Sequence, residues 1–225
     1  MSALPKRAWE SMLLLAVALC LVFSLTALDY RLADGYYQSG QGFAGRGNWW
    51  LDTFSHVWLK RAAITVLALA WLRVLAGRLS PRWRPGSRRW LAAALAMTTA
   101  PALVATLKPL SGVQCPWDLQ RYGGAALDHI YWFSGQLGVA RGGCFPAGHA
   151  TSGFGLFGLA LLWLGRDRKV AWIVGLSVFA YGAALGWGQQ MRGAHFLSHT
   201  LWSAWVCWAV CLAVFYWLRP DRETN

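Results

Sequence analysis

Three histidines stand in polar breaks of an otherwise apolar chain. His149 closes the run Gly143-Cys144-Phe145-Pro146-Ala147-Gly148, while His195 and His199 belong to Arg192-Gly193-Ala194-His195-Phe196-Leu197-Ser198-His199. Lys108 lies upstream, followed seven residues later by Cys115-Pro116-Trp117-Asp118. Imidazole titrates near neutral pH and serves as nucleophile, acid, base or metal ligand. Ionisable groups at the mouths of hydrophobic spans are functional candidates by default. Such a set suits chemistry at a membrane surface.

The elements that must position these residues are helices in a bilayer. The chain is 56% hydrophobic and 13% charged, with 16 tryptophans in 225 residues; a soluble domain carries about twice that charge fraction. Roughly 20 apolar residues cross the hydrocarbon core, and the apolar stretches predict an all-α membrane protein of six transmembrane helices, at about 9–28, 54–77, 90–107, 146–165, 170–190 and 196–218. The whole chain, 1–225, reads as one integral membrane domain. The span at 54–77 contains Lys60, Arg61 and Arg73, and that at 146–165 requires Pro146 to His149 as its polar lip. The first span follows Lys6 and Arg7 as a signal peptide would, but its apolar run is long and lacks a clear cleavage site. It is read as a retained helix.

The net charge of +12 raises the question of nucleic acid, but its distribution answers otherwise. Arg78, Arg82, Arg84, Arg88 and Arg89 crowd one loop, Arg166, Arg168 and Lys169 another, and Lys6, Arg7, Arg219 and Arg222 flank the ends. All fall on one side of a six-span topology, and the positive-inside bias makes that side cytoplasmic, with both termini. No nucleic-acid partner is expected. The histidine motifs and Lys108 then meet on the outer face. The glycines around Pro146 suit a helix start whose N–H groups face an anion.

These motifs resemble those of a known family. Lys108-x6-Cys115-Pro116, Pro146-Ala147-Gly148-His149 and His195-x3-His199 are similar to the three-part signature of the type 2 phosphatidic acid phosphatase superfamily, which runs Lys-x6-Arg-Pro, Pro-Ser-Gly-His and Ser-Arg-x5-His-x3-Asp. The resemblance extends over residues 108–202. It implies a six-helix membrane phosphatase that needs no cofactor and no metal. By position it makes His195 the nucleophile that forms a phosphohistidine and His149 the general acid. Lys108 becomes a phosphate clamp, with Gly148 at the backbone donors. Against the signature, Cys115 and Gln189 replace arginines, Gly188 and Ala147 replace serines, and His199 replaces aspartate. Phosphoryl transfer depends on neutralising charge over the equatorial oxygens, so other cations must compensate. The candidates are Arg192, Arg121 and Arg141, with Arg192 preferred because helical spacing of three places it on the side of His195. His199 orients His195 by a hydrogen bond, and Asp118 or Asp128 is a candidate for the missing carboxylate. His56 and His129 match no motif and are read as structural.

Cys20, Cys207 and Cys211 fall inside spans and act as small apolar residues. Cys115 and Cys144 share the outer loop, where an oxidising compartment favours a disulfide; two buried free thiols are the alternative. The resulting expectation is a phosphatase of the bacterial inner membrane acting at the periplasmic face on a lipid-linked phosphate or pyrophosphate. By family analogy the substrates are phospholipid, polyprenyl or lipid A phosphates. Three alternatives stand beside it: a lipid phosphotransferase, a zinc hydrolase using His149, His195 and His199, and a silent lipid-binding or transport protein of the same fold.

Overall fold

The computed structural model describes residues 4–127 and 142–222. The described residues are mostly helical: α1 (Leu4–Leu25), α2 (Leu28–Asp34), α3 (Lys60–Leu79), α4 (Ser87–Leu107), α5 (Gly148–Phe154), α6 (Arg168–Met191) and α7 (Leu197–Leu218). A π-helical stretch, Trp50–Leu59, runs straight into α3. A two-residue-per-strand hairpin pairs Tyr37 with Phe43 and Gln38 with Gly42. Among the described residues, five helical segments are long and apolar enough to cross a membrane: Arg7–Leu25, Trp50–Leu79, Ser87–Leu110, Arg168–Met191 and Leu197–Leu218.

The element expected at 146–165 departs from the others. It is the shorter apolar helix Gly148–Leu162. Pro146 and Ala147 stay outside it, Ala147 with extended backbone, and the turn at Gly165 closes it with φ of 82°. After Phe154 it winds as a 3-10 helix, Gly155–Leu162. A 3-10 helix rises about 2.0 Å per residue against 1.5 Å for an α-helix, so the whole element reaches about 26 Å. The expected span at 54–77 is also longer than its apolar core, because the π-helical turns extend it back to Trp50.

Small residues let the helices approach closely, as bilayer helices must when lipid is as apolar as their side chains. The inner face of α4 is alanine: Ala92, Ala93, Ala94, Ala96 and Ala100 are fully buried. Gly158 of the 3-10 helix lies on the Ala93 carbonyl, and Gly155 packs on Pro101. A Cβ at Gly153 would run into the Gly182 backbone of α6, and one at Gly186 into Thr200 of α7. Leucines such as Leu13, Leu14, Leu69, Leu72 and Leu176 cover the outside. At the histidine end an aromatic lid of Phe43, Tyr122 and Phe196, with Tyr30, Tyr37 and Trp117 beside it, covers the bundle.

Candidate active site

Lys108 is the first residue beyond α4, in a 3-10 turn, Lys108–Leu110. His149 is the second residue of α5. His195 precedes α7 in an extended link, and His199 lies in its first turn. These four side chains converge. A Cβ at Gly148 would sit 3.4 Å from Lys108 Nζ, so the missing side chain leaves room for the ammonium at the start of α5. The rings of His149 and His195 are 5.9 Å apart between centroids, and those of His195 and His199 are 5.7 Å apart. Nδ1 of His195 lies 3.5 Å from Nδ1 of His199. His195 and His199 are 3% and 2% exposed, whereas His149 and Lys108 are half-buried.

Backbone ties hold this convergence. Cys115 and Cys144 form a disulfide with Cα atoms 5.2 Å apart. The Cys144 N–H donates to the Val113 carbonyl at 3.0 Å. The Cys144 backbone hydrogen-bonds both imidazoles, so the bridge fixes a peptide group on which His195 and His199 rest. Ala147, just before α5, donates its N–H to the His199 carbonyl at 3.2 Å, and Ser203 Oγ lies within 3.0 Å of the Ala147 and His199 carbonyls. Burial pushes His195 well below the ordinary imidazole range, and positive charge at His199, Lys108 and His149 adds to the effect. A ring so placed is neutral at neutral pH and keeps a lone pair for attack.

Two of the candidate arginines are held by carboxylates. Arg192 does not share a helical face with His195, because α6 ends at Met191 and Gly193 turns the chain with φ of 74°. Its guanidinium instead bonds Asp52 Oδ1 at 2.9 Å and Gln189 Oε1 at 3.1 Å. Gln189, in the position of the family arginine, donates to the Leu51 carbonyl at 3.3 Å. Arg121 makes a two-pronged contact with Asp34, at 3.0 and 2.7 Å, and lies over the Tyr30 ring. That bond holds the Asp34 carboxyl below its usual range. Arg121 thus fastens α2 to the outer loop. The Asp118 carboxylate makes no hydrogen bond to a histidine among the described residues; its backbone carbonyl accepts the Ala126 N–H at 2.8 Å. Arg141, Asp128 and His129 lie outside the described residues. Among the described residues no three His, Cys, Asp or Glu side chains group as metal ligands, so the zinc arrangement is not formed there.

One residue escaped the motif reading. Asp29 of α2 is 3% exposed, and its Oδ1 accepts the Ser198 N–H at 3.0 Å. Phe196 stands at the N-cap of α7 and has no side-chain acceptor, so Asp29 supplies from another helix the cap that α7 lacks. Burial raises its carboxyl to about 6, and the Ser198 hydrogen bonds pull the other way. The signal available was an acidic residue directly after an apolar span.

Comparison with known families gives a match over the part of the chain that carries the site. The model of the PAP2 superfamily matches residues 89–223, which takes in Lys108 and all three histidines of the site. No curated protein and no solved structure matches the chain.

Proposed function

The chain belongs to the PAP2 superfamily, a family of phosphatases, and on that premise we propose that it is a membrane phosphatase that removes a phosphate from a lipid-linked phosphate or pyrophosphate at the periplasmic face of a bacterial inner membrane. The observation that carries this reading is the meeting of Lys108, His149 and His195 at the start of α5. Nε2 of His195, the ring nitrogen not turned to His199, attacks phosphorus in line with the leaving oxygen. The N–P bond forms as the P–O bond breaks, and the departing electron pair on oxygen takes the proton of His149. Water then attacks the phosphohistidine, gives its proton to His149 and frees phosphate and His195. Lys108 and the backbone at Gly148 stabilise the equatorial oxygens, where charge accumulates. His199 holds the His195 ring through the Nδ1 contact. Arg192 joins the clamp once a phosphate competes with Asp52 for it.

The experiment is phosphate release by the purified protein from a panel of phospholipid, polyprenyl and lipid A phosphates, with His195→Ala beside it. Release from at least one lipid, abolished in His195→Ala, is the expected result. No release from any member would favour a silent lipid-binding protein. The engagement of Arg192 and Arg121 by carboxylates supports that second reading.

A further inference from the structure

At the other end of the bundle lies a cleft of about 290 Å³ between the start of α4 and the end of the 3-10 helix, lined by Gly86, Arg89, Trp90, Trp163 and Arg166 among others. Arg89 and Lys108 are 19 positions apart along α4 and its 3-10 extension, about 28 Å at helical rise. The cleft is therefore a bilayer's thickness from the histidines and takes no part in their chemistry.

Its walls are built by arginines. Arg89, buried, donates from one NH to the Leu162 and Leu164 carbonyls at 3.4 and 2.9 Å, which fixes the end of the 3-10 helix and sets a cation against the floor. Arg73 binds the Trp83 and Pro85 carbonyls at 2.7 and 2.9 Å and lies over the rings of Trp83 and Trp90, which fixes the opposite wall. Gly86 stands at the N-cap of α4 and offers no side-chain cap, so the positive end of a 21-residue helix also faces this region. Arg166 stands exposed at the rim and makes no ion pair among the described residues. Among the described residues, Asp167 caps α6 by accepting the Val170 N–H, and Asp221, which packs against Gly165, makes no ion pair. Cations, a helix start and two indoles at interfacial depth form a pocket suited to a phosphate group.

We propose that this cleft binds a phosphate-bearing anion, supplied by the headgroup of an anionic phospholipid or by free phosphate, with Arg166 and Arg89 as its cationic walls. The test uses the full chain in detergent, titrated separately with phosphatidylglycerol, phosphatidylcholine and inorganic phosphate, read by native mass spectrometry and by melting temperature. Retention of phosphatidylglycerol over phosphatidylcholine is expected if a headgroup is the source. Stabilisation by inorganic phosphate, without preference between the lipids, identifies a free anion. In either case Arg166→Glu lowers the affinity about tenfold or more, since charge-assisted hydrogen bonds are lost and repulsion is added. Arg166→Lys keeps part of it. Arg166 is exposed, so an unchanged melting temperature of the unliganded variants shows that they fold. Equal retention of both lipids with no phosphate response would overturn the proposal, as would undiminished anion binding by Arg166→Glu.

Discussion

The guanidinium of Arg192 lies 2.9 Å from Oδ1 of Asp52, which joins the end of α6 to the π-helical turns before α3. The arginine side chain is 11% exposed and the carboxylate 52%, so the cation is shielded while its partner stays open to exchange. A phosphate bringing more negative charge is able to displace such a partner. Asp52→Asn is therefore expected to lower KM for the lipid phosphate. Arg192→Ala is expected to cost about 10–100-fold in kcat/KM, the loss of one charged hydrogen-bonded contact, and Arg192→Lys nearly as much, because lysine has no planar fork. Steady-state kinetics on the cognate lipid decide it. Full turnover by Arg192→Ala would show that the pair only ties two helices together.

His149 is expected to matter in proportion to the basicity of the leaving oxygen. His149→Ala slows an alkyl phosphate by about 10²–10⁴-fold, the usual worth of a positioned acid, and slows nitrophenyl phosphate far less, because nitrophenolate departs without a proton. Equal losses on both substrates would assign His149 to binding instead.

Asp29 links stability to pH. Its folded pKa, about 6, exceeds the usual carboxyl value of about 3.9. Between these values the folded state holds more protons than the unfolded state, so this group makes stability fall as pH rises from about 4 to about 6, and the cost is complete above that window. Asp29→Asn keeps an oxygen for the Ser198 N–H and loses the buried charge. Its melting temperature at pH 8 is expected to equal or exceed wild type, with a flatter profile between pH 4 and 6. Asp29→Ala leaves α7 uncapped and is expected to lose about 1 kcal/mol. An Asp29→Asn protein with an unaltered pH profile would show that the carboxyl does not titrate in this window.

Opening the Cys115–Cys144 bridge is expected to reduce both stability and turnover. The cysteines are 29 residues apart, and closing such a loop is worth about 3–4 kcal/mol on the chain-entropy view. Turnover falls with it because Cys144 carries the peptide group on which His195 and His199 rest. Cys144→Ser, compared with wild type before and after reductant, measures both. Wild-type activity in Cys144→Ser would separate the bridge from the site.

The arginine distribution also predicts topology. Reporter fusions after Arg84 and after Tyr122 should report opposite compartments, with the Tyr122 fusion outside. The same compartment for both would remove the basis for an outward-facing site.

What the residue pattern reveals depends on the range of the interaction. Helix type and approximate span follow from long apolar runs, and Lys108, His149 and His195 are legible because their spacing along the chain repeats a family signature. The shared face expected of Arg192 and His195 does not form, because a spacing of three gives one only while a helix continues, and α6 ends before Gly193. Its partner Asp52 is 140 residues away in sequence, beyond any local pattern. Asp29 was missed for the same reason: a cap given to α7 by α2 leaves no mark near either helix. The 3-10 winding of Gly155–Leu162 was hidden too, since an apolar run of that composition has no period that distinguishes it from an α-helix.

The close glycine contacts make the chain unequal in what it can tolerate. Leu69, Leu72 or Leu176 on the lipid side can drift among apolar residues with little consequence. A single methyl at Gly153 meets the backbone of α6 instead, and α5 has to slide to admit it. His149 is four residues back on that same short helix, so it slides as well. A displacement of about 1 Å at a catalytic group is enough to cost about 10²-fold in rate. Some of the most damaging substitutions in this protein therefore lie at positions that touch no substrate and carry no charge.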